Sequence, residues 1–191
     1  MKKFLEKWQW LIATISAAGL LAVVFTKKNE IMKAVKNTVS DLKSNGLIAG
    51  LHPAAQEPAR RFLNNAETAG INLIITSGYR THAKQNELYA QGRTTPGAIV
   101  TNAKGGQSFH NFGLAIDVVE IKNGKALYKE ADGANWNRIA QIGKAAGFAW
   151  GGDFKNLIDK PHFQLNTGLS LAQLQNKFNT GQISGGYVLL T

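Results

Sequence analysis

Residues Trp8 to Thr26, WQWLIATISAAGLLAVVFT, carry no charged side chain, and no other stretch of the chain narrows its structural options as much. As a helix the run would reach about 28 Å at 1.5 Å rise per residue, close to the hydrocarbon thickness of a bilayer. Lys2, Lys3 and Lys7 precede it, Lys27 and Lys28 follow it, and Trp8 and Trp10 stand where interfacial aromatics sit. Three readings compete. A retained signal anchor accounts best for the apolar length and the lysine flanks. A cleaved signal peptide needs a small-x-small site, and Val23, Val24 and Phe25 carry the run past Ala22 without one. A buried core helix is the third reading; the run is apolar on all faces and flanked by lysines, which argues against a one-sided amphipathic helix. Because lysines lie at both ends, the positive-inside rule does not orient the segment.

The remainder reads as one folded domain behind a short connecting element. EIMKAVKNTVSDLK, within Lys27 to Asn45, places apolar residues at Ile31, Met32, Val35, Val39 and Leu42, which predicts a stalk or first helix ended by Asn45-Gly46. The globular part then runs from Leu47 to the C-terminus. Pro53 starts a predicted helix over 53–69, with Phe62 and Leu63 facing inward and Gly70 at its end. INLIITSG (71–78) has strand length and β-branched composition, and Thr81 is placed to cap a helix through Gln91. A polar, glycine-rich loop from Gly92 to Gly106 leads to SFHNFGLAIDVVEI, whose tail reads as a strand. NGK at 123–125 then marks a hairpin turn. A helix over 135–146, a short strand and turn in GFAWGGDF, and a strand over 159–165 follow. GLSLAQLQNKFNTGQISGGYVLL reads as a closing helix and extended tail. Helices and strands alternate without a regular βαβ repeat, which predicts an α+β domain with a mainly antiparallel sheet flanked by helices.

Composition narrows the chemistry. The 22 Lys+Arg against 12 Asp+Glu give a net charge of +10, which favours an anionic partner without identifying it. The basic residues are scattered, and no helix-turn-helix, zinc-finger or RNA-binding signature occurs, so nucleic acid is not expected. With no cysteine, thiolate metal sites, disulfides and a thiol nucleophile are excluded. Any metal must be held by carboxylates and by the four histidines, His52, His82, His110 and His162.

Two of these histidines have aspartates at suggestive distances. His110 and Asp117 lie in S-F-H-N-F-G-L-A-I-D, and Asp159 and His162 in D-K-P-H-F. Two imidazoles and one carboxylate would make a three-ligand zinc site with a fourth position open to water, and a nearby second carboxylate would supply a base. Taken singly, each residue has an ordinary structural reading as well: Asp117 could pair with a basic neighbour, and either histidine could be a packed core residue.

The wider context is more specific. S-G-Y-R at 77–80, Gln85, S-x-H-x-x-G-x-A-x-D at 108–117, G-G-D-F at 151–154 and D-x-P-H-F at 159–163 occur in the order found in a family of zinc peptidases. The chain resembles that family, which includes L-alanyl-D-glutamate endopeptidases of phage and sporulating bacteria and D-alanyl-D-alanine carboxypeptidases, over roughly Leu47 to Leu165. The resemblance implies the Hedgehog/DD-peptidase fold and one zinc ion per chain, held by His110, Asp117 and His162. It implies Asp159 as the general base and Arg80 as the arginine beside the metal, with a structural salt bridge as the other reading of Arg80. Ser108 is implied either in contact with substrate or as a turn-stabilising hydroxyl. His52 and His82 match no ligand position. Trp150 and Phe163 read as wall or core residues, and Gly151-Gly152 as a tight turn.

An aspartate three residues before the last histidine is similar to the endopeptidase branch, where the carboxypeptidases carry glutamate. Asp159 therefore implies hydrolysis between L-alanine and D-glutamate of the peptidoglycan stem peptide. Removal of a terminal D-alanine is the alternative, and a non-catalytic wall-binding module is the alternative of another class. On this reading residues 1–28 are an anchor, 29–46 a stalk and 47–191 the peptidase. The protein is expected to act as a monomer, attached to the bacterial membrane with its catalytic part on the wall side, or secreted if the segment is cleaved.

Overall fold

The computed structural model describes residues 17–129 and 133–191. The expected membrane segment begins at Trp8, so residues 8–16 of it lie outside the described residues. Among the described residues, no helix is long and apolar enough to cross a membrane. The chain divides into two compact units, Met1–Ser40 and Asp41–Thr191.

The first described element is α1 (Ala17–Ala49). It passes through Asn45-Gly46 rather than stopping there. A glycine costs a helix only about 1 kcal/mol, and the last turn recovers more than that. Ile48 is fully buried, and the Ser44 hydroxyl accepts a hydrogen bond from Ile75 N at 3.1 Å, which ties this turn to the first strand. In the first unit the same helix exposes Phe25, Ile31, Met32 and Val39.

The second unit is an α+β fold built on one antiparallel sheet. Helix α2 (Pro53–Thr68) begins at a proline whose missing N–H would have no partner in a first turn. It buries Ala55, Ala59, Phe62 and Ala66, a stripe at helical spacing. Strand β1 (Leu73–Ser77) and helix α3 (His82–Ala90) follow, the helix capped by Thr81 as expected. A single 3-10 turn (Phe109–Phe112) precedes β2 (Ala115–Lys122), which turns at Asn123-Gly124 into β3 (Lys125–Leu127). Helix α4 (Trp136–Ala145), β4 (Phe148–Trp150), a 3-10 turn (Gly151–Asp153) and β5 (His162–Leu165) complete the main fold. Helix α5 (Leu171–Asn179) and a small hairpin of β6 (Ile183–Ser184) and β7 (Tyr187–Val188) close the chain, so the expected extended tail is folded back on itself.

The sheet has the order β1-β2-β5-β4, and every pairing is antiparallel. Glu120 pairs with both Leu73 of β1 and Leu127 of β3, so β3 lies on the edge of β2 opposite β1. Successive side chains in a strand point to opposite faces, and directly opposed residues share a face. Ile116 stands opposite Phe163, and Trp150 opposite Phe163 on the other side, so these three point into the core. There α2 and α4 cover them. The Phe62 ring lies 4.8 Å from that of Phe163, and a Cβ on Gly143 would run into both rings. Trp150 and Phe163 are therefore core residues. On the opposite face of the same strands stand Asp117, His162 and Gln164.

Candidate metal centre

Strand register alone brings two of the expected ligands together. Asp117 of β2 is paired directly with His162 of β5, and Val118 N donates to Pro161 O at 3.0 Å to hold the register beside them. The expected strand over 159–165 begins only at His162, because residues 159–161 bend to close a loop. Asp159 N donates to Gly151 O at 3.0 Å, and His162 N to Asp159 O at 3.2 Å. Trp150 Nε1 donates to Lys160 O at 2.7 Å. Gly151 is needed there, since a Cβ would collide with the Asp159 carbonyl oxygen.

His110 arrives from the 3-10 turn rather than from a strand. The Ser108 hydroxyl caps the turn by accepting from His110 N at 3.3 Å. Gly113 ends it in the left-handed region at φ 67°, where a Cβ would also lie 2.5 Å from His52 N. Just upstream of α3, the S-G-Y-R segment is joined to this turn on both sides. Arg80 N donates to His110 O at 2.9 Å, Asn111 Nδ2 donates to Arg80 O at 2.9 Å, and His110 Nδ1 donates to Gly78 O at 2.8 Å. The two sequence motifs are thus one piece of structure.

The donor atoms form a nearly regular triangle. His110 Nε2 lies 3.2 Å from Asp117 Oδ1 and 3.2 Å from His162 Nδ1, and His162 Nδ1 lies 3.4 Å from Asp117 Oδ1. Donors around a tetrahedral zinc with bonds of about 2.0–2.1 Å must stand about 3.3–3.4 Å apart, so the set fits that ion. The tautomers agree. The Gly78 carbonyl requires the proton on His110 Nδ1, and Gln164 Oε1, 3.1 Å from His162 Nε2, requires it there. Both remaining nitrogens then turn lone pairs toward a carboxylate oxygen, an arrangement that needs a cation at its centre. This is the one such His–carboxylate cluster among the described residues.

Without a metal, the same groups stabilise one another's charges. Burial alone would raise the Asp117 carboxyl, but the hydrogen bonds and charges of His110 and His162 outweigh it and hold the group far below the usual carboxylate range. Burial lowers His162, and the bond and charge of Asp117 reverse that, leaving it raised. Asp159 is pushed up by burial and by the Asp117 carboxylate, against the pull of the two imidazoles.

A cleft of about 520 Å³ opens over this cluster. Arg80, Ser108 and Asp159 line it with the three ligands, so all six residues singled out in the sequence share one cavity. The Arg80 guanidinium donates to Ser77 Oγ and to Gln85 Oε1, both at 2.9 Å, and stands 3.9 Å from Asp117 Oδ2. The salt-bridge reading of Arg80 and its place beside the metal cluster thus coexist. His52 bonds Val188 O and caps α2, while His82 packs edge-on against Phe112 and Phe178; neither joins the cluster.

Three contributors were not assigned a role from sequence: Gln164, the Gly78 carbonyl and Gln85. A backbone carbonyl leaves no signal in side-chain identity. Gln164 follows His162 by two in a strand, which places it on the same face and could have marked it.

Comparison with known proteins agrees with this geometry. A family model described as VanY, D-alanyl-D-alanine carboxypeptidase, matches residues 49–157, more than half of the chain, and stops short of Asp159 and His162. The chain is 43% identical over 122 residues to the peptidoglycan L-alanyl-D-glutamate endopeptidase CwlK of Bacillus subtilis (strain 168), covering 60% of this chain and 73% of that protein. It is 30% identical over 108 residues to the L-alanyl-D-glutamate peptidase of Listeria phage A118, covering 56% of this chain and 35% of that one. Among solved structures, the LdcB LD-carboxypeptidase superposes with a TM-score of 0.50 at 22% identity, covering 66% of this chain and 64% of that chain, which supports the fold. The family match and the CwlK identity, taken with the fold that carries this cluster, place the chain in the VanY D-alanyl-D-alanine carboxypeptidase family.

Proposed function

We propose that the protein is a zinc-dependent peptidase of the bacterial cell wall that hydrolyses the bond between L-alanine and D-glutamate in peptidoglycan stem peptides. The observation that carries this reading is the triangle of lone pairs from His110, Asp117 and His162, with Asp159 in the same cleft. Zinc bound there would lower the pKa of a coordinated water and polarise the scissile carbonyl.

The protein's own groups take the remaining roles. The Asp159 carboxylate accepts the proton of the attacking water and returns it to the leaving amine of D-glutamate. Burial and the neighbouring Asp117 raise its proton affinity, which suits a base. The Arg80 guanidinium, fixed by Ser77 and Gln85, faces the developing oxyanion. The Ser108 hydroxyl, at the edge of the same cleft, offers a contact to the peptide while it caps the His110 turn.

Digestion of muropeptides by the full-length protein, with and without a chelator, tests the reading by mass spectrometry. A new N-terminal D-glutamate that disappears with chelator supports it. Loss of a single terminal alanine would move the activity to carboxypeptidase, the alternative that the family model's description favours. Wall binding without zinc uptake or cleavage would indicate the non-catalytic module.

We further propose that residues 1–28 attach the protein to the bacterial membrane, that 29–46 form a stalk, and that 47–191 act as a monomer on the wall side. The support is the uncharged run from Trp8 to Thr26 with its flanking lysines. Release from membranes by carbonate at high pH, or a mature N-terminus beginning after Ala22, would reject the retained anchor.

A further inference from the structure

The loop from Gly92 to Gly106 supplies Val100, Thr101, Asn102 and Ala103 to the cleft, yet no sheet ladder holds it. It is held from helix α3 and the residues just after it. Gln85, fully buried, donates from Nε2 to Ala103 O at 2.8 Å and to Thr101 Oγ1 at 3.3 Å. Asn86 Oδ1 accepts from Gly105 N at 2.7 Å. Arg93 makes the densest set. Its Nη1 donates to Tyr89 O at 2.7 Å and to Thr101 O at 2.9 Å, its Nη2 donates to Asn102 Oδ1 at 2.8 Å, and its guanidinium stacks 4.1 Å from the Tyr89 ring centre. A planar fork of five fixed N–H donors meets these three acceptors and the ring together, a geometry that the compact, rotating ammonium of a lysine does not reproduce.

The bond to Asn102 has a chemical consequence. An amide has one oxygen and one N–H2 group, so fixing the oxygen on Arg93 also fixes where the two donors point. No partner for Asn102 Nδ2 occurs among the described residues, and Asn102 lines the cleft. We propose that Arg93 is a positioning residue for Asn102, which it turns so that the amide N–H2 donates to an acceptor oxygen, carbonyl or carboxylate, of the bound stem peptide. The proposal rests on the stem-peptide reading for its ligand and on the Arg93 contacts for its geometry.

The test uses the full-length, zinc-loaded protein and a stem peptide containing the L-alanyl-D-glutamate bond. Asn102→Asp keeps an oxygen for Arg93 but removes the donors, so KM rises about tenfold, the size of one lost hydrogen bond to a charged or well-oriented acceptor. Arg93→Ala raises KM by a similar factor, Arg93→Lys falls between it and wild type, and in all three the loss sits in KM rather than kcat while zinc content stays at the wild-type level. Hydrogen exchange of the amides of residues 95–103 reads the clamp without any turnover: it quickens in Arg93→Ala and stays at the wild-type rate in Asn102→Asp. Wild-type KM in Asn102→Asp overturns the donor role, and unchanged exchange in Arg93→Ala overturns the clamp. If the wild-type protein leaves the peptide uncut, the proposed function fails, and Kd for the uncut peptide replaces KM in the same comparison. An Asn102→Asp Kd equal to that of wild type would then overturn the donor role.

Discussion

Asp117, His162 and Gln164 owe their positions to strand pairing, whereas Arg80, Thr101 and Asn102, in the same cleft, are held by side-chain hydrogen bonds, with the buried Gln85 bonded to the first two. The first group shares a face because the register of β2 and β5 leaves no alternative; a slip of one residue would send Asp117 to the core side. The second group depends on a relay that runs from Arg93 through the loop and Gln85 to Arg80. Backbone ladders place two of the three candidate ligands, and a capped turn places the third. Side-chain relays place the groups proposed to meet the substrate, and these can change without disturbing the sheet.

The comparison breaks most sharply at the ladder. Asp117→Asn should abolish zinc uptake and lower peptidase activity at least about 10³-fold, the several kcal/mol that a catalytic metal supplies. Metal analysis and the muropeptide digest would read both; retained zinc at unit stoichiometry would remove Asp117 from the ligand set. Next in size, Asp159→Ala should leave zinc bound and cut kcat by about 10²–10⁴-fold, the range of a lost general base. Intact kcat there would reassign the base.

Smaller effects sharpen the contrast. Gln164→Ala removes the acceptor that orients His162 and should weaken zinc affinity by about 10–100-fold, with the fold unchanged by circular dichroism. The equivalent support for His110 is a backbone carbonyl, so no side-chain variant can repeat the experiment there. On the relay side, Gln85→Leu should leave zinc affinity near wild type. It strands the Ala103 carbonyl and one Arg80 nitrogen, costing about 1–3 kcal/mol of stability in denaturant unfolding and lowering kcat.

Acidity gives the mildest probe. In metal-free protein His162 is held above its ordinary value of 6.5, so it contributes stability that is fully present below that pH and lost as pH rises through the raised value. Asp117, held down, contributes stability above the ordinary carboxylate range that is lost only in strong acid. Metal-free protein should therefore weaken between neutral and mildly alkaline pH, and zinc should cancel that slope. A metal-free midpoint that is flat over this window would deny the His162–Asp117 bond.

These two modes of construction also explain what the sequence reveals. Thr81 as a cap, the Asn123-Gly124 hairpin and the stripe of α2 are local, and they are readable because each depends on a few neighbouring residues. The candidate metal ligands are legible through motif context, since S-x-H-x-x-G and D-x-P-H-F each encode a turn and a strand start. The end of α1 is not legible at Asn45-Gly46, because the burial of Ile48 and the Ser44–Ile75 bond are tertiary and local turn propensity does not include them. The Arg93 relay is illegible for the same reason, since its partners lie across a loop.

The near-equal sides of the donor triangle bear on which metal the protein would carry in a cell. Two imidazoles and a carboxylate at these separations suit a tetrahedral ion, so the triangle would tolerate cobalt(II) in place of zinc, whereas copper and nickel prefer square-planar or tetragonal donors. That same tolerance offers a reporter: cobalt, silent in neither colour nor magnetism, can stand in the site and show by its visible spectrum when peptide enters the cleft.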